Sequence, residues 1–198
     1  MNRLNPRLPL VFDTREVSRR PGAMIEMQRT VPAPNDLGDI DLIAIPPGQP
    51  IELDLRLESV MEGVLVTGSA HATATGACVR CLDPITRHVG GHFQELFAYA
   101  DRAAHHHEVA AEDDDEVYEL VGDLFDLEPV LRDAMVPAMP FQPVCRSDCP
   151  GLCSECGMHL AEDPTHHHDQ LDPRWAALQN LATPPGNQEA ADTREKRN

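Results

Sequence analysis

Aromatic residues are scarce: Phe, Trp and Tyr make up 4% of 198 residues. Apolar residues of all kinds reach only 41%, a little under the usual globular share. With 18 prolines in addition, the composition predicts one modest core with irregular extensions. Long hydrophobic runs are missing as well. The only candidate targeting segment is Leu8-Pro9-Leu10-Val11-Phe12, and five apolar residues are too few for a signal-peptide core or a membrane span. The expectation is a cytoplasmic protein with no membrane partner, where thiols stay reduced and clustered cysteines usually mean metal. No Gly-rich phosphate loop, nucleophile motif or internal repeat is present. Lysine is confined to Lys196, so the positive charge is almost all Arg.

The formal net charge is −17, unevenly spread. Residues 1–30 hold six Arg against Asp13, Glu16 and Glu26, a local charge of +3. Residues 101–133 hold twelve acids against Arg102 and Arg132, a local charge of −10. Such a body repels nucleic acid at long range and attracts basic protein.

Leu8 to Phe12 reads as a short strand, after which Asp13 is placed to cap a short helix ending before Pro21-Gly22. Residues 32–38 and 46–50 read as loops. Ile51 to Glu58 alternates apolar and polar without a fault, the clearest strand signal in the chain. Met61-Glu62-Gly63 is a turn, and Val64 to Thr75 a long second strand. Ile85, Val89, Phe93 and Phe97 share one parity, which predicts a third strand with a bulge at Gly90-Gly91. The three suit an antiparallel meander. Residues 101–116, with His105 to His107 and Asp113 to Asp115, form a solvated acidic loop. Val117 to Val121 is expected to return to the sheet. Asp126 is a candidate N-cap for a helix whose apolar face is Leu127, Val130, Leu131, Ala134 and Met135. Asp172-Pro173 opens a closing helix with Trp175, Leu178 and Leu181 as its stripe, and residues 183–198 have no apolar pattern. The fold class is therefore α+β: an antiparallel sheet core with short helices over residues 1–143, a cysteine-rich zinc-binding extension and closing helix over 144–182, and a disordered tail over 183–198.

All six cysteines fall in closely spaced pairs: Cys78 and Cys81, Cys145 and Cys149, Cys153 and Cys156 followed by Gly157. Zinc takes four soft or borderline ligands in a tetrahedron, and two thiolates a few residues apart wrap one side of it. Disulfides would need an oxidising compartment, and a redox dithiol belongs beside a βαβ pattern that is not found here. Two groupings are open. Cys145, Cys149, Cys153 and Cys156 can form one site, which is tight within twelve residues. Alternatively Cys78 and Cys81 join Cys145 and Cys149, and Cys153 and Cys156 take His166 and His168. The second is favoured because its first site would staple the extension to the sheet. His166 to His168 read equally as an exposed polar run.

These residues together resemble the YceD family. Cys78-Val79-Arg80-Cys81-Leu82 and a strand ending near Glu95-Leu96-Phe97 are similar to its core. Leu127-Glu128-Pro129, Pro140 to Cys145 and Cys149-Pro150-Gly151-Leu152-Cys153-Ser154-Glu155-Cys156-Gly157 are similar to its downstream half, and Asp172 to Leu178 to its closing helix. The resemblance implies a role in accumulation of large-subunit ribosomal RNA and genomic company with a small basic zinc-ribbon ribosomal protein. It also implies that the first Cys pair works with the positions of Cys145 and Cys149. Some relatives close with C-x-C where this chain has His166 to His168.

Two functions compete. One is an assembly factor that touches ribosomal RNA or precursor particles through Arg3, Arg7, Arg15, Arg19, Arg20 and Arg29, or through Arg80 and Arg146 beside the metal. The other is an acidic chaperone for a basic ribosomal protein, with no direct RNA contact. An enzyme is disfavoured, because thiolate-rich closed zinc sites are structural and catalytic ones keep a position open.

Overall fold

The computed structural model describes residues 4–17, 19–39, 42–102, 118–168 and 174. The acidic run with His105 to His107, the closing helix with Trp175, Leu178 and Leu181, and the tail lie outside the described residues. Among the described residues eight strands and one complete helix follow in order: β1 Val11–Asp13, β2 Met24–Pro32, β3 Leu37–Asp39, β4 Ile43–Ile45, β5 Pro50–Ser59, β6 Gly63–Ala77, β7 Pro84–Ala98, β8 Leu124–Asp126 and α1 Glu128–Met135. A second helical turn begins at residues 100–102.

The meander is present as expected. β5 pairs antiparallel with β6 from Glu52↔His71 to Ser59↔Val64, and β6 with β7 from Gly63↔Ala98 to Ala77↔Pro84. β7 occupies one whole edge of β6. The other edge is shared, with β5 along one half and β4 at Ile43↔Gly76 and Ala44↔Thr75. β2 extends the sheet beyond β5, and β3 beyond β4. Period-two alternation puts Ile51, Leu53, Leu55 and Leu57 on one face with Val64, Val66 and Ala70 of β6, all buried. Each large aliphatic side chain buried there contributes roughly 1.5–3 kcal/mol. The other face carries Glu52, Asp54, Thr67, Ser69 and His71 and is open to solvent or half open.

The inner face is roofed by β1, β8 and α1. β1 pairs with β8 through Phe12↔Phe125, whose rings lie 5.5 Å apart, and Phe125 meets Phe97 of β7 at 4.5 Å. Leu127, Val130, Leu131 and Met135 are buried as the helical spacing predicts. Arg132 pins α1 to the β2–β3 connection, its guanidinium donating to the carbonyls of Asp36 (2.9 Å) and Asn35 (2.6 Å) and pairing with Glu128.

Several local expectations are corrected. Asp13 starts no helix: residues 14–19 form turns among the described residues, and the Asp13 carboxylate accepts the Arg15 backbone N–H at 2.9 Å instead. That local bond competes with helix geometry. The capping carboxylate of α1 is Asp126, accepting the Glu128 N–H at 2.9 Å, but the N-cap position itself is Leu127, one residue on. Among the described residues, Glu119 to Val121 make only isolated bridges, whereas the strand is β8. β7 passes through Gly90 and Gly91 in unbroken register with His71 and Ala70, so there is no bulge. Gly91 is required by a close approach: a Cβ there would lie 2.5 Å from the Ala134 carbonyl oxygen of α1. β2 was not expected; Arg29 sits at an inward parity among Ile25, Met27 and Val31 and breaks its alternation.

Candidate metal centres

Cys78 and Cys81 occupy the β6–β7 connection, and Cys145 and Cys149 the segment after α1. The loop at Cys78 is closed locally: the Cys78 N–H donates to Asp83 O (2.8 Å), and the Leu82 N–H donates to Cys78 O (2.8 Å). Leu82 takes a left-handed φ of 63° to turn the chain back into β7. The second segment is tied to the first by the Val79 N–H on Pro143 O (2.9 Å) and the Leu152 N–H on Arg80 O (3.1 Å). Gly151, with φ +82°, permits the latter, since a Cβ there would sit 3.0 Å from that oxygen.

These contacts bring the four sulfur atoms within 4.8 Å of one another. Cys78 and Cys149 are 3.9 Å apart, and Cys81 and Cys145 are 3.7 Å apart. A tetrahedron with Zn–S near 2.3 Å has edges of about 3.8 Å, so the set fits a tetrahedral ion. Disulfide sulfurs would be about 2.05 Å apart, and all six cysteines are free. Cys78, Cys81 and Cys149 are buried and Cys145 half-buried.

Crowding splits the acidities of Cys78, Cys81 and Cys145. Burial raises the Cys78 pKa, but the N–H groups of Cys145, Cys81 and Arg80 and the Cys81 thiol outweigh it and bring it down to about 6. For Cys81 the Asp83 N–H lowers the pKa, but burial, the Asp83 carboxylate and the neighbouring Cys78 and Cys149 sulfurs push it well up. Cys145 is raised first by Cys149 and then by burial.

The second group is Cys153, Cys156, His166 and His168, also within 4.8 Å. Cys153 and Cys156 form a knuckle in which the Cys153 N–H donates to Met158 O (2.8 Å) and the Gly157 N–H donates to Cys153 O (2.9 Å). Gly157 stands at φ +74°, which explains the glycine after the pair. The N–H groups of Cys156 and Glu155 lead in lowering the Cys153 pKa to about 6 against its burial, helped by His166 and Cys156. The Cys156 sulfur is 3.2 Å from His166 Nε2 and 3.3 Å from His168 Nε2, and the two Nε2 atoms are 2.9 Å apart. Two thiolates and two imidazoles around zinc need edges of roughly 3.3–3.8 Å, so this set fits after opening by a few tenths of an ångström. Cys156 and His168 are exposed, unlike the first set. Glu155 lies 3.5 Å from His168 Nδ1 and helps orient its ring.

The residues thus fall into the two groups of the two-site arrangement, and both can hold a metal ion. Two features were not read from the sequence. Arg80 Nη1 donates to Cys149 O (3.0 Å) and Ser147 O (3.4 Å), while Arg87 Nη2 donates to Val144 O (2.5 Å) and Cys145 O (3.4 Å). Between them they brace the loop carrying the second cysteine pair. The sequence marks Arg80 only as a candidate RNA contact, and Arg87 is signalled only by its inward parity on β7. Replacing Arg87 with Ala removes bonds to a charged donor, each worth roughly 1.5–3 kcal/mol. Metal transfer from the first group to a chelator should then quicken about tenfold; an unchanged rate would show that the brace is idle.

The Arg residues of the N-terminal segment do not form one face. Arg3 lies outside the described residues, Arg15 is paired with Asp13, and Arg19 stacks on Tyr99 with its guanidinium carbon 5.0 Å from the ring centre. Arg20 and Arg29 share a hollow with Arg15.

The fold and clusters define a mainly antiparallel β protein carrying two candidate metal centres. No helix among the described residues is long and apolar enough to cross a membrane. The chain belongs to the YceD family, described as large ribosomal RNA subunit accumulation protein YceD, which matches residues 66–182. All eight candidate ligands lie inside that stretch. Uncharacterized proteins of Mycobacterium tuberculosis and Mycobacterium bovis are each 47% identical over 176 residues, covering 89% of this chain and 83% of theirs. One from Mycobacterium leprae is 45% identical, covering 89% and 79%. No solved structure matches the chain.

Proposed function

We propose that this protein is a non-enzymatic, cytoplasmic zinc-binding factor in biogenesis of the large ribosomal subunit, supporting accumulation of its ribosomal RNA through association with precursor particles. The observation that carries the reading is family membership over a stretch that contains both metal groups. Zinc is the ion because a buried four-sulfur set and a mixed sulfur–imidazole set are its usual structural ligands. In this reading Cys78, Cys81, Cys145 and Cys149 hold one ion and Cys153, Cys156, His166 and His168 the other. The chain is organised as a core over 1–143, a zinc-binding extension with a closing helix over 144–182 and a tail over 183–198.

Gradient fractionation of cells making the protein tests this. It should sediment with large-subunit precursors at low salt, and its depletion should lower large-subunit against small-subunit RNA. Absence from every precursor fraction, even at low salt, would remove the ribosomal reading. The net charge of −17 favours a second reading, an acidic chaperone for a basic ribosomal protein. In that case neutralising Asp113, Asp114, Asp115 and Glu116 should weaken the association, and removing the N-terminal Arg residues should not.

A further inference from the structure

The turn over residues 14–20 and the inward edge of β2 enclose a hollow of 810 Å³. That lies within the roughly 300–1,000 Å³ of sites that hold small organic groups. Phe12, Ile25 and Met27 supply its apolar lining, and Arg15, Arg20, Arg29, Asp13, Glu16 and Glu26 its charges. Arg15 is consumed by Asp13, with Nε 2.8 Å from Oδ2. Among the described residues Arg20, Arg29, Glu16 and Glu26 form no ion pair. Arg29 lays its guanidinium 5.8 Å from the Phe12 ring centre.

The turn is built to hold its shape. The Thr14 N–H and hydroxyl both donate to Asp123 O, at 2.8 and 3.0 Å. Val17 is wholly buried and its N–H donates to Thr14 O at 2.9 Å. Arg19 sits at φ 57°, where side-chain-bearing residues are rare. It is held there by its N–H on the Tyr99 hydroxyl at 2.7 Å and by the stacking of its guanidinium on the same ring. Strain of this kind persists only where the surroundings over-determine it, and it clusters at functional positions. Its consequence here is to set Arg20 at the rim of the hollow.

We propose that this hollow seats one nucleotide of single-stranded RNA, its phosphate on Arg20 and Arg29, its base against Ile25 and Met27, and the amino edge of that base at Glu16 and Glu26. The proposal deepens the ribosomal reading and rests on it. Each part of a nucleotide finds its complement. Guanidinium groups take phosphate oxygens and offer a flat face to a base. Unstacked bases bury their faces on apolar or guanidinium surfaces, and carboxylates accept from exocyclic amino groups. A duplex keeps its bases stacked and cannot enter. The hollow balances three Arg against Asp13, Glu16 and Glu26 within a chain of net charge −17, so contact is local rather than spread along the RNA. A basic peptide would leave Arg20 and Arg29 facing like charge.

The test uses the full metal-loaded chain and fluorescent single-stranded octaribonucleotides in low salt. Wild type should bind oligoadenylate and oligocytidylate about tenfold more tightly than oligouridylate, which has no amino group. The Arg20→Ala/Arg29→Ala variant should lose at least tenfold in affinity, and its log–log salt slope should fall by roughly 0.7 per lost contact. Glu16→Gln/Glu26→Gln should erase the preference among bases while keeping most affinity. Arg102→Ala, an exposed position outside the hollow, serves as the control and should bind as wild type. Circular dichroism and metal content should be unchanged throughout, since the five replaced side chains are exposed. Equal binding by wild type and the double Arg variant, with precursor association intact, overturns the hollow and leaves the ribosomal reading standing. Capture of an oligoarginine peptide instead of RNA, abolished by Glu16→Gln/Glu26→Gln, overturns it in favour of a protein partner.

Discussion

Cys78→Ser should lower the melting temperature by roughly 10 °C or more, because a structural ligand set contributes folding energy directly and each lost kcal/mol moves a chain of this size by about 2–4 °C. Cys156→Ser should lose one ion as well but shift melting by only about 3 °C or less. Cys78 is buried just past the fifteen-residue β6, and two of its partner sulfurs come from a segment 67 and 71 positions further along. Losing that centre frees the whole downstream segment from the sheet. The ligands around Cys156 all come from residues 153–168, so losing that centre loosens only a local loop. Scanning calorimetry with metal analysis on both variants decides it. Equal shifts at equal metal loss would contradict the assignment of a stapling role to the first centre.

Gly91→Ala should be the most damaging single-methyl change in β7, and Gly90→Ala nearly silent. At Gly91 the added carbon would meet backbone atoms of α1, 2.5 Å from Ala134 O and 2.9 Å from its carbonyl carbon, so the helix must lift from the sheet. Overpacking of that kind costs roughly 1–3 kcal/mol, which is a fall of about 2–12 °C in melting temperature. At Gly90 the nearest atoms belong to the exposed His71 ring, 2.6 Å away, and that ring can swing aside. Its shift should stay within about 2 °C. Similar losses at both positions would mean that the pair is needed for strand conformation rather than for helix approach.

The Gly90-Gly91 pair also shows where sequence reading reached its limit. A glycine pair inside a strand signals either a bulge or a close approach, and only the position of α1 separates the two. Ile51 to Glu58 was legible because one buried face imposes strict alternation. β2 was not, because Arg29 stands on the inward parity at the rim of a hollow, where a charged group reaches solvent. The short strands β3, β4 and β8 span three residues each, too few for a period to show. The turn after Asp13 looked like a capped helix because the same carboxylate bond to a nearby N–H serves both geometries. That the cysteines gather into clusters that could hold a metal ion was legible, since sulfur ligands must come in close pairs to wrap an ion. Their bracing by Arg80 and Arg87 was not, because guanidinium bonds to backbone carbonyls leave no pattern in spacing.

The central claim is that two separate metal centres are built from these eight side chains, and native mass spectrometry of the intact chain tests it most directly. The account predicts two zinc ions per chain, falling to one in Cys153→Ser/Cys156→Ser with the fold retained. A wild-type chain that carries no metal, with six freely reactive thiols and unchanged folding, would contradict it.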